Sequence, residues 1–202
     1  MSMNPVIRTL ARWAAFVALL GSVYATAQSP ALAIKPLAER QVATLPDGEL
    51  YWRIENFAAL AEAQAAAGAW SLVAESAGRV WLFSLGAAGG SSPGGTKLAE
   101  VGPIARISAS QYLLRINHAS GPPGSVTSVH SHPGSGAFYV VSGEQSIRSA
   151  RGVLRVGPGQ AEAGQGADKA MQVSSSGSSD LHALVMFVVD ATRPFSSPAT
   201  IP

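Results

Sequence analysis

The chain has 202 residues, of which 13% are charged, 21 are Gly and 13 are Pro. This length suits a single domain with a real core, and abundant Gly and Pro with few charges favour short strands and tight turns over a helical bundle. The sequence contains no Cys, so no disulfide can stabilise the fold and burial must hold it together.

Residues 1–27 have the pattern of a secretory signal peptide. Arg8 and Arg12 form a positive n-region, Trp13 to Val23 is an apolar run, and Ala25-Thr26-Ala27 is a small-residue cleavage pattern. The run is too short to span a membrane, and a second cleavage point follows Ala33. We expect a periplasmic or secreted mature protein; a membrane anchor that stays attached is the alternative.

Signal cleavage also changes the charge balance. The whole chain has 14 Lys+Arg and 12 Asp+Glu, and loss of Arg8 and Arg12 with no acid leaves 12 of each. A nearly neutral chain without a basic run has no electrostatic footprint for nucleic acid or for an anionic membrane. We therefore expect neither nucleic acid nor, after cleavage, a membrane as a partner.

Residues 28–104 predict a small extension made of a strand, a helix, a hairpin and a Gly-rich loop. Leu50–Asn56 is typical of a strand, and Asn56 is placed to cap an Ala-rich helix over Phe57–Ala67. Trp70–Ala74 and Arg79–Ser84 predict the hairpin. The run Gly86–Thr96 indicates a flexible surface connection rather than a lid.

The rest of the chain is dominated by short strand signals. Leu181–Val189 is apolar on both faces and predicts a strand buried between two layers. His118 follows the strand over Gln111–Asn117, and we expect residues 119–123 to end that strand and leave His118 at a rim. Many short strands with tight turns indicate a sandwich or a barrel. The further predicted strands are Phe138–Val141, Gln145–Arg148, Val153–Val156, Ala161–Gly166 and Ala170–Ser174.

His130 and His132 are the residues on which the functional prediction depends. Side chains two apart on a strand project to the same face, so both imidazoles can point at one spot. Imidazole nitrogens bind zinc, iron, copper and nickel. A hydrogen-bonded pocket without metal is the alternative.

This segment resembles the first motif of the cupin superfamily, in which Gly, His-x-His, Glu and Gly follow at set intervals. Gly124 matches the opening Gly, His130 and His132 the His pair, and Gly143 the closing Gly. Gly136 stands where the motif has its Glu. The carboxylate ligand of the family is therefore missing from this chain.

The second cupin motif is matched more weakly. Gly157-Pro158-Gly159-Gln160 is similar to its turn, and Met171 stands where the family has its last His ligand. The resemblance implies a mainly β fold, a cupin jelly-roll barrel over residues 105–190. Residues 191–202 would form an extended tail that lies across the barrel or across a partner subunit of a homodimer, and the sequence leaves both open.

The resemblance implies a site inside the barrel. His130, His132 and Met171 are the candidate metal ligands, and thioether with imidazole favours copper over manganese, although copper, zinc, iron, nickel or manganese all remain as cofactors. Core filling is the alternative role for Met171. Three further residues on later segments could reach the interior as ligand-binding groups. They are Glu162, Gln165 and His182.

The sequence supports three functions. The preferred one is an exported cupin that binds a metal ion or a small organic ligand in its barrel. The second is a metal-dependent enzyme of the dioxygenase, isomerase or decarboxylase type, for which the resemblance identifies no catalytic residue and an incomplete ligand set. The third is a structural cupin that retains only the fold.

Overall fold

The computed structural model describes residues 29–202, and the predicted signal peptide lies outside the described residues. Within this range no helix is long and apolar enough to cross a bilayer. The elements are β1 Ala33–Val42, β2 Leu50–Phe57, α1 Leu60–Ala66, β3 Ser71–Ser76, β4 Arg79–Gly86, β5 Thr96–Ile104, β6 Tyr112–Gly121, β7 His130–Ser131, β8 Gly134–Ser142, β9 Gln145–Ser149, β10 Gly152–Val156, β11 Ala161–Ala163, β12 Met171–Ser175, β13 Leu181–Asp190 and β14 Ser197–Pro198.

Strands β6 to β13 form two antiparallel sheets with the order β6-β13-β8-β11 and β10-β9-β12-β7. Counted from β6, the first sheet holds strands one, eight, three and six, and the second holds five, four, seven and two. This is the strand order of a jelly roll, which consists of two Greek keys. The predicted fold class, a mainly β jelly roll, is confirmed.

Each jelly-roll sheet gains one strand at an edge. Strand β1 pairs with β6 in what we call the middle sheet, β1-β6-β13-β8-β11, and β14 pairs with β7 in the front sheet, β10-β9-β12-β7-β14. The outer sheet, β3-β4-β2-β5, packs on the other face of the middle sheet. The molecule is therefore a jelly roll with a third sheet as an outer layer.

Strand β13 contributes to two hydrophobic cores, one on each side of the middle sheet. Its odd residues, among them Val185 and Phe187, pack between the middle and front sheets. Its even residues, Leu184, Met186 and Val188, pack toward the outer sheet. Successive side chains on a strand point to opposite faces, so a continuous apolar run is what a strand between two layers requires.

The outer sheet is held by aromatic side chains. Trp52 and Trp81 are fully buried in the core shared with the middle sheet, and Trp81 stacks on Phe83 with ring centroids 6.1 Å apart. A third, small core under helix α1 joins Ala63 to Phe57 and Leu82. The extension that the sequence predicts is thus a covering layer with its own helix.

The structure corrects the helix start. Phe57 belongs to β2 and pairs with Val80, while the Asn56 side chain donates a hydrogen bond to the Val80 carbonyl. Asn56 therefore cannot cap the helix, which begins at Leu60 after Ala59 without any side-chain cap. Tertiary pairing has extended the strand beyond the point where local propensity predicts its end.

Strand pairing also corrects two other expectations, and one further strand was not predicted. Strand β1 lies within the predicted extension, yet it belongs to the middle sheet, so the boundary at residue 105 divides a sheet of the barrel. Strand β5 has no counterpart in the sequence prediction. Strand β6 continues to Gly121 because β1 and β13 pair with it on both sides. His118 therefore lies within a strand and not at its rim.

The Gly-rich segment between β4 and β5 is fixed rather than flexible. Its Ser92 donates two hydrogen bonds to the buried carboxylate of Glu55, from the amide nitrogen at 2.7 Å and the hydroxyl at 2.8 Å. The Arg53 Nε donates a third at 2.9 Å. Burial by itself raises the pKa of Glu55, but the bonds from Ser92 and Arg53 outweigh burial and hold the pKa below its usual value.

Substitution of Glu55 by Gln should lower the free energy of unfolding by about 1.5–3 kcal/mol at pH 7, because it removes charge-assisted hydrogen bonds. The folded pKa lies below the unfolded one, so the stabilisation is present above the unfolded pKa and is lost as the pH falls through the folded pKa. Urea denaturation at pH 7 and pH 4 should show a smaller difference at pH 4. The exposed Glu75→Gln variant is the control, and an equal effect of both substitutions would contradict this account.

Candidate functional site

A cavity of about 490 Å³ lies between the front and middle sheets. This volume is within the range of roughly 300–1,000 Å³ that is usual for small-molecule sites. Most of its wall is aliphatic or aromatic, with side chains such as Val185, Phe187 and Phe138 from the middle sheet. The polar residues of the wall are Arg115, Asn117, Thr127, Ser128, His130, His132 and Ser196.

Both histidines of the predicted site line this cavity. His130 is in the two-residue strand β7, where it pairs with Met171 of β12 on one side and Pro198 of β14 on the other. The two imidazole rings are nearly perpendicular, with centroids 5.0 Å apart. Met171 also lines the cavity, so the structure brings together the three side chains that the sequence proposes as metal ligands.

The hydrogen bonds of the two imidazoles define their tautomers. The Nδ1 of His130 lies 2.8 Å from the Ser128 carbonyl, and the Nδ1 of His132 lies 2.7 Å from the Phe195 carbonyl. A carbonyl oxygen can only accept, so each Nδ1 carries the proton and donates. In a neutral ring the remaining nitrogen, Nε2, is then a hydrogen-bond acceptor or a metal ligand.

His132 is held neutral by its surroundings. It is only 8% exposed, and its ring packs on those of Phe187 and Phe195 with centroids 4.7 and 4.8 Å away. Burial lowers the pKa of His132 to about 4, the bond to the Phe195 carbonyl opposes the shift, and the charges of His130 and Arg115 add to it. Its Nε2 therefore offers a lone pair at neutral pH.

The C-terminal tail lies across its own barrel. Strand β14 pairs with β7, Phe195 lies in the cavity wall, and Arg193 forms an ion pair with Asp168 at 2.7 Å. The sequence leaves open whether residues 191–202 lie across their own barrel or across a partner subunit. In the structure they lie across their own barrel. The tail thereby supplies both the carbonyl and one of the rings that surround His132.

The structure places the other three predicted ligand-binding residues away from the cavity wall. Glu162 is exposed on the edge strand β11, and Gln165 follows that strand without lining the cavity. His182 is an even residue of β13 and lies on the face opposite Phe187 and the cavity. There its Nδ1 is 3.1 Å from the Nε2 of His118, and the two rings are stacked.

Three residues of the site have no role in the sequence prediction. Arg115 and Asn117 come from β6, on the face opposite Leu114 and Ile116, and Phe195 comes from the tail. The alternation of β6 could have identified two of these residues from the sequence. Arg115 and Asn117 are polar and share the strand face that points away from the core beneath the outer sheet. The Pro-broken sequence around Phe195 carries no signal of this kind.

The metal centre of typical cupins does not fit the residues of this chain. Gly136 lies in β8 opposite Phe187, so the position that carries the acidic ligand in typical cupins has no side chain here and faces an aromatic ring. Within residues 29–202, no group of three or more His, Cys, Asp or Glu side chains could hold a metal ion. The candidate metal ligands in the cavity wall are therefore two imidazoles and one thioether.

Parts of this chain are similar to solved protein structures. No family model and no curated protein matches the sequence, but solved structures do. A cupin-like protein from Thermotoga maritima is 16% identical with a TM-score of 0.38, over 44% of this chain and 65% of that one. A Klebsiella pneumoniae protein with a double-stranded β-helix domain is 20% identical with a TM-score of 0.37, over 43% of this chain and 75% of the other.

The chain has a jelly-roll fold, the architecture that the resemblance to the cupin motifs implies. The strand order establishes it, and the similarity to these structures extends no further than the fold. A DMSP lyase from Ruegeria pomeroyi matches at 18% identity and a TM-score of 0.37, over 43% of each chain. The chain spans 64% of a conserved Streptococcus pyogenes protein that is 24% identical, at a TM-score of 0.34 over 38% of this chain.

The neutral state of His132 predicts a distinct pH dependence of stability. Between pH 6.5 and pH 4 the unfolded chain binds a proton at this residue and the folded chain does not, so stability falls as the pH falls across this window. A difference of roughly 2.5 pKa units corresponds to about 3 kcal/mol. NMR titration of the imidazole nitrogens should show His132 titrating near pH 4 from the Nδ1-protonated tautomer.

The matched variant is His132→Asn, because the Asn amide can still donate to the Phe195 carbonyl and does not titrate. Urea denaturation between pH 7 and pH 4 should show a smaller loss of stability in the variant than in the wild type. A His132 pKa near 6.5 in the folded protein would contradict the buried, neutral ring.

Proposed function

We propose that this cupin binds a small organic molecule in the cavity between the front and middle sheets, with His130 and His132 as its polar anchors. One observation carries the proposal. An apolar cavity of about 490 Å³ has two imidazoles in its wall, and both hold their Nδ1 on a backbone carbonyl. The Nε2 atoms are thereby oriented as acceptors.

The acceptor state of the imidazoles indicates what a ligand must offer. A polar atom enclosed in an apolar site costs free energy unless it is paired, so a molecule with a hydroxyl or N–H group would satisfy an Nε2 that a hydrocarbon leaves unpaired. The aliphatic and aromatic wall would contact the body of the molecule. The favoured ligand is apolar with a hydrogen-bond donor.

The place of action belongs to this proposal as well. The n-region, apolar run and cleavage pattern of residues 1–27 support export, so we place the binding function in the periplasm or outside the cell. Absence of Cys is compatible with that setting, since an oxidising compartment has no thiol to act on.

Binding of paired probes tests the role of the imidazoles. Calorimetry should show that 4-ethylphenol binds the wild type at least fivefold more tightly than 4-ethyltoluene, because only the phenol donates to Nε2. The His130→Asn/His132→Asn variant keeps a donor near each Nδ1 position and removes both Nε2 acceptors. We expect it to lose this preference, with a cost near 1 kcal/mol, while 4-ethyltoluene binds unchanged.

A second variant separates the cavity from the rest of the surface. Ala119 is buried in the cavity wall, so Ala119→Leu should reduce the binding of both probes, whereas Ala150→Leu in the exposed β9–β10 turn should not. Equal binding of the two probes to wild type and double variant would overturn the anchor role. Absence of any binding would overturn the proposed function.

A metal ion is the second candidate ligand, favoured by the register of Met171 directly opposite His130. Two imidazoles with a thioether are soft ligands of the kind that suit Cu(I), and metal-binding histidines usually donate the other ring nitrogen to a carbonyl or carboxylate, as both do here.

Elemental analysis of purified protein loaded with Cu(I) should give one equivalent if this candidate holds. Met171→Leu, which preserves apolar volume, should then weaken Cu(I) retention and leave 4-ethylphenol binding intact.

A further inference from the structure

We infer that the molecule bound in the cavity is an acid, whose carboxylate pairs with Arg115 while its hydroxyl or other donor reaches the imidazoles. This inference rests on the proposed function and adds the charge of the ligand to it. Nothing in the cupin motifs points to Arg115, which lies on β6, before the first motif. The position of its guanidinium and the charges that face it favour an anionic ligand.

Arg115 is the charged group of the cavity wall. Among the residues that line the cavity no Asp, Glu or Lys is present, and the only other titratable groups are the two histidines. The wall itself therefore includes a positive charge and no acidic side chain, and its apolar groups strengthen the interaction of that charge with a ligand.

The guanidinium is fixed in position by two contacts. Its Nε donates to the Asn117 Oδ1 at 3.0 Å, and its central carbon lies 4.3 Å from the centroid of the Phe195 ring. The bond to Asn117 also commits the amide oxygen of that buried residue, so its NH₂ group is the part that can serve a ligand as donor. Terminal nitrogens of a guanidinium held in this way are suited to bind a carboxylate in a fork.

The protein's own acid does not neutralise Arg115 fully. Glu39 of β1 pairs with Arg115 across the strands, and its carboxylate oxygen is 3.6 Å from the Arg115 Nη1. That distance is too long for a hydrogen bond. The Glu39 side chain is 58% exposed against 20% for Arg115, so water screens this pair more than it would screen a carboxylate inside the cavity.

Donors and acceptors are thus separated within one cavity. Arg115 and Asn117 on β6 present N–H groups, whereas His130 and His132 present Nε2 lone pairs. An apolar hydroxy acid matches both, with its carboxylate on β6 and its hydroxyl toward the imidazoles. A neutral hydrocarbon offers a new hydrogen-bond partner to none of these four groups.

Matched acid and ester probes test this inference by calorimetry at pH 7. We would compare 4-hydroxycinnamate, 3-phenylpropionate and octanoate, each beside its methyl ester, in the wild type, Arg115→Met and Arg115→Lys. The wild type should bind at least one acid ten times more tightly than its ester. Arg115→Met should abolish this preference without weakening the ester, and Arg115→Lys should retain part of it because it keeps the charge and loses the fork.

Two further variants serve as controls. Arg151→Met removes a positive charge from the exposed β9–β10 turn and should leave the preference for the acid unchanged. Glu39→Gln removes the competing carboxylate and should tighten acid binding severalfold. Circular dichroism and the binding of the neutral dye Nile red establish that each variant retains the fold and the cavity.

The outcomes distinguish this inference from the proposed function. If the esters or Nile red bind wild type while no acid is preferred, or if Arg115→Met leaves the preference intact, the cavity binds ligands and the inference about charge is wrong. If neither acids, esters nor Nile red bind the wild type, the proposed function fails together with it.

Discussion

The two-sided burial of β13 is the constraint on which the rest of the structure depends. One face of this strand must cover the interior of the jelly roll and the other must be covered by the outer sheet, since both carry large apolar side chains. Exposing either face would cost roughly 25 cal/mol for each Å² of apolar surface. The outer sheet with its buried Trp52 and Trp81 is therefore a requirement of the fold rather than an appendage.

The same alternation defines what the cavity contains. Odd residues of β13 bring Phe187 to the interior, where it packs against His132 and occupies the space opposite Gly136. Phe187 thereby contacts both the Gly136 position and the imidazole of His132. Burial among these rings lowers the pKa of His132, and Gly136 supplies no carboxylate of the kind that a typical cupin metal centre includes.

The C-terminal tail contributes contacts to the site that come from outside the eight strands of the jelly roll. Its Phe195 supplies the carbonyl that fixes the His132 tautomer, the ring that buries this imidazole, and the aromatic face over which Arg115 lies. The imidazole of His132 and the cation of the cavity are thus both contacted by one residue outside the barrel. Ligand binding and the docking of residues 191–202 should be thermodynamically coupled for this reason.

Local patterns in the sequence predicted most of the strands between β2 and β13, the hairpins, the double burial of Leu181–Val189 and the common face of His130 and His132, because each follows from a periodicity of two residues or from turn chemistry. The resemblance to the cupin motifs also identified the missing ligands, since Gly136 and Met171 stand where those motifs have a Glu and a His. Only the tertiary structure decided that β1 joins the middle sheet, that β6 runs past His118, and that His182 faces away from the cavity. It alone brought Arg115, Asn117 and Phe195 to the imidazoles. Strand partners and the path of a tail depend on contacts between residues far apart in the chain, and no local pattern carries that information.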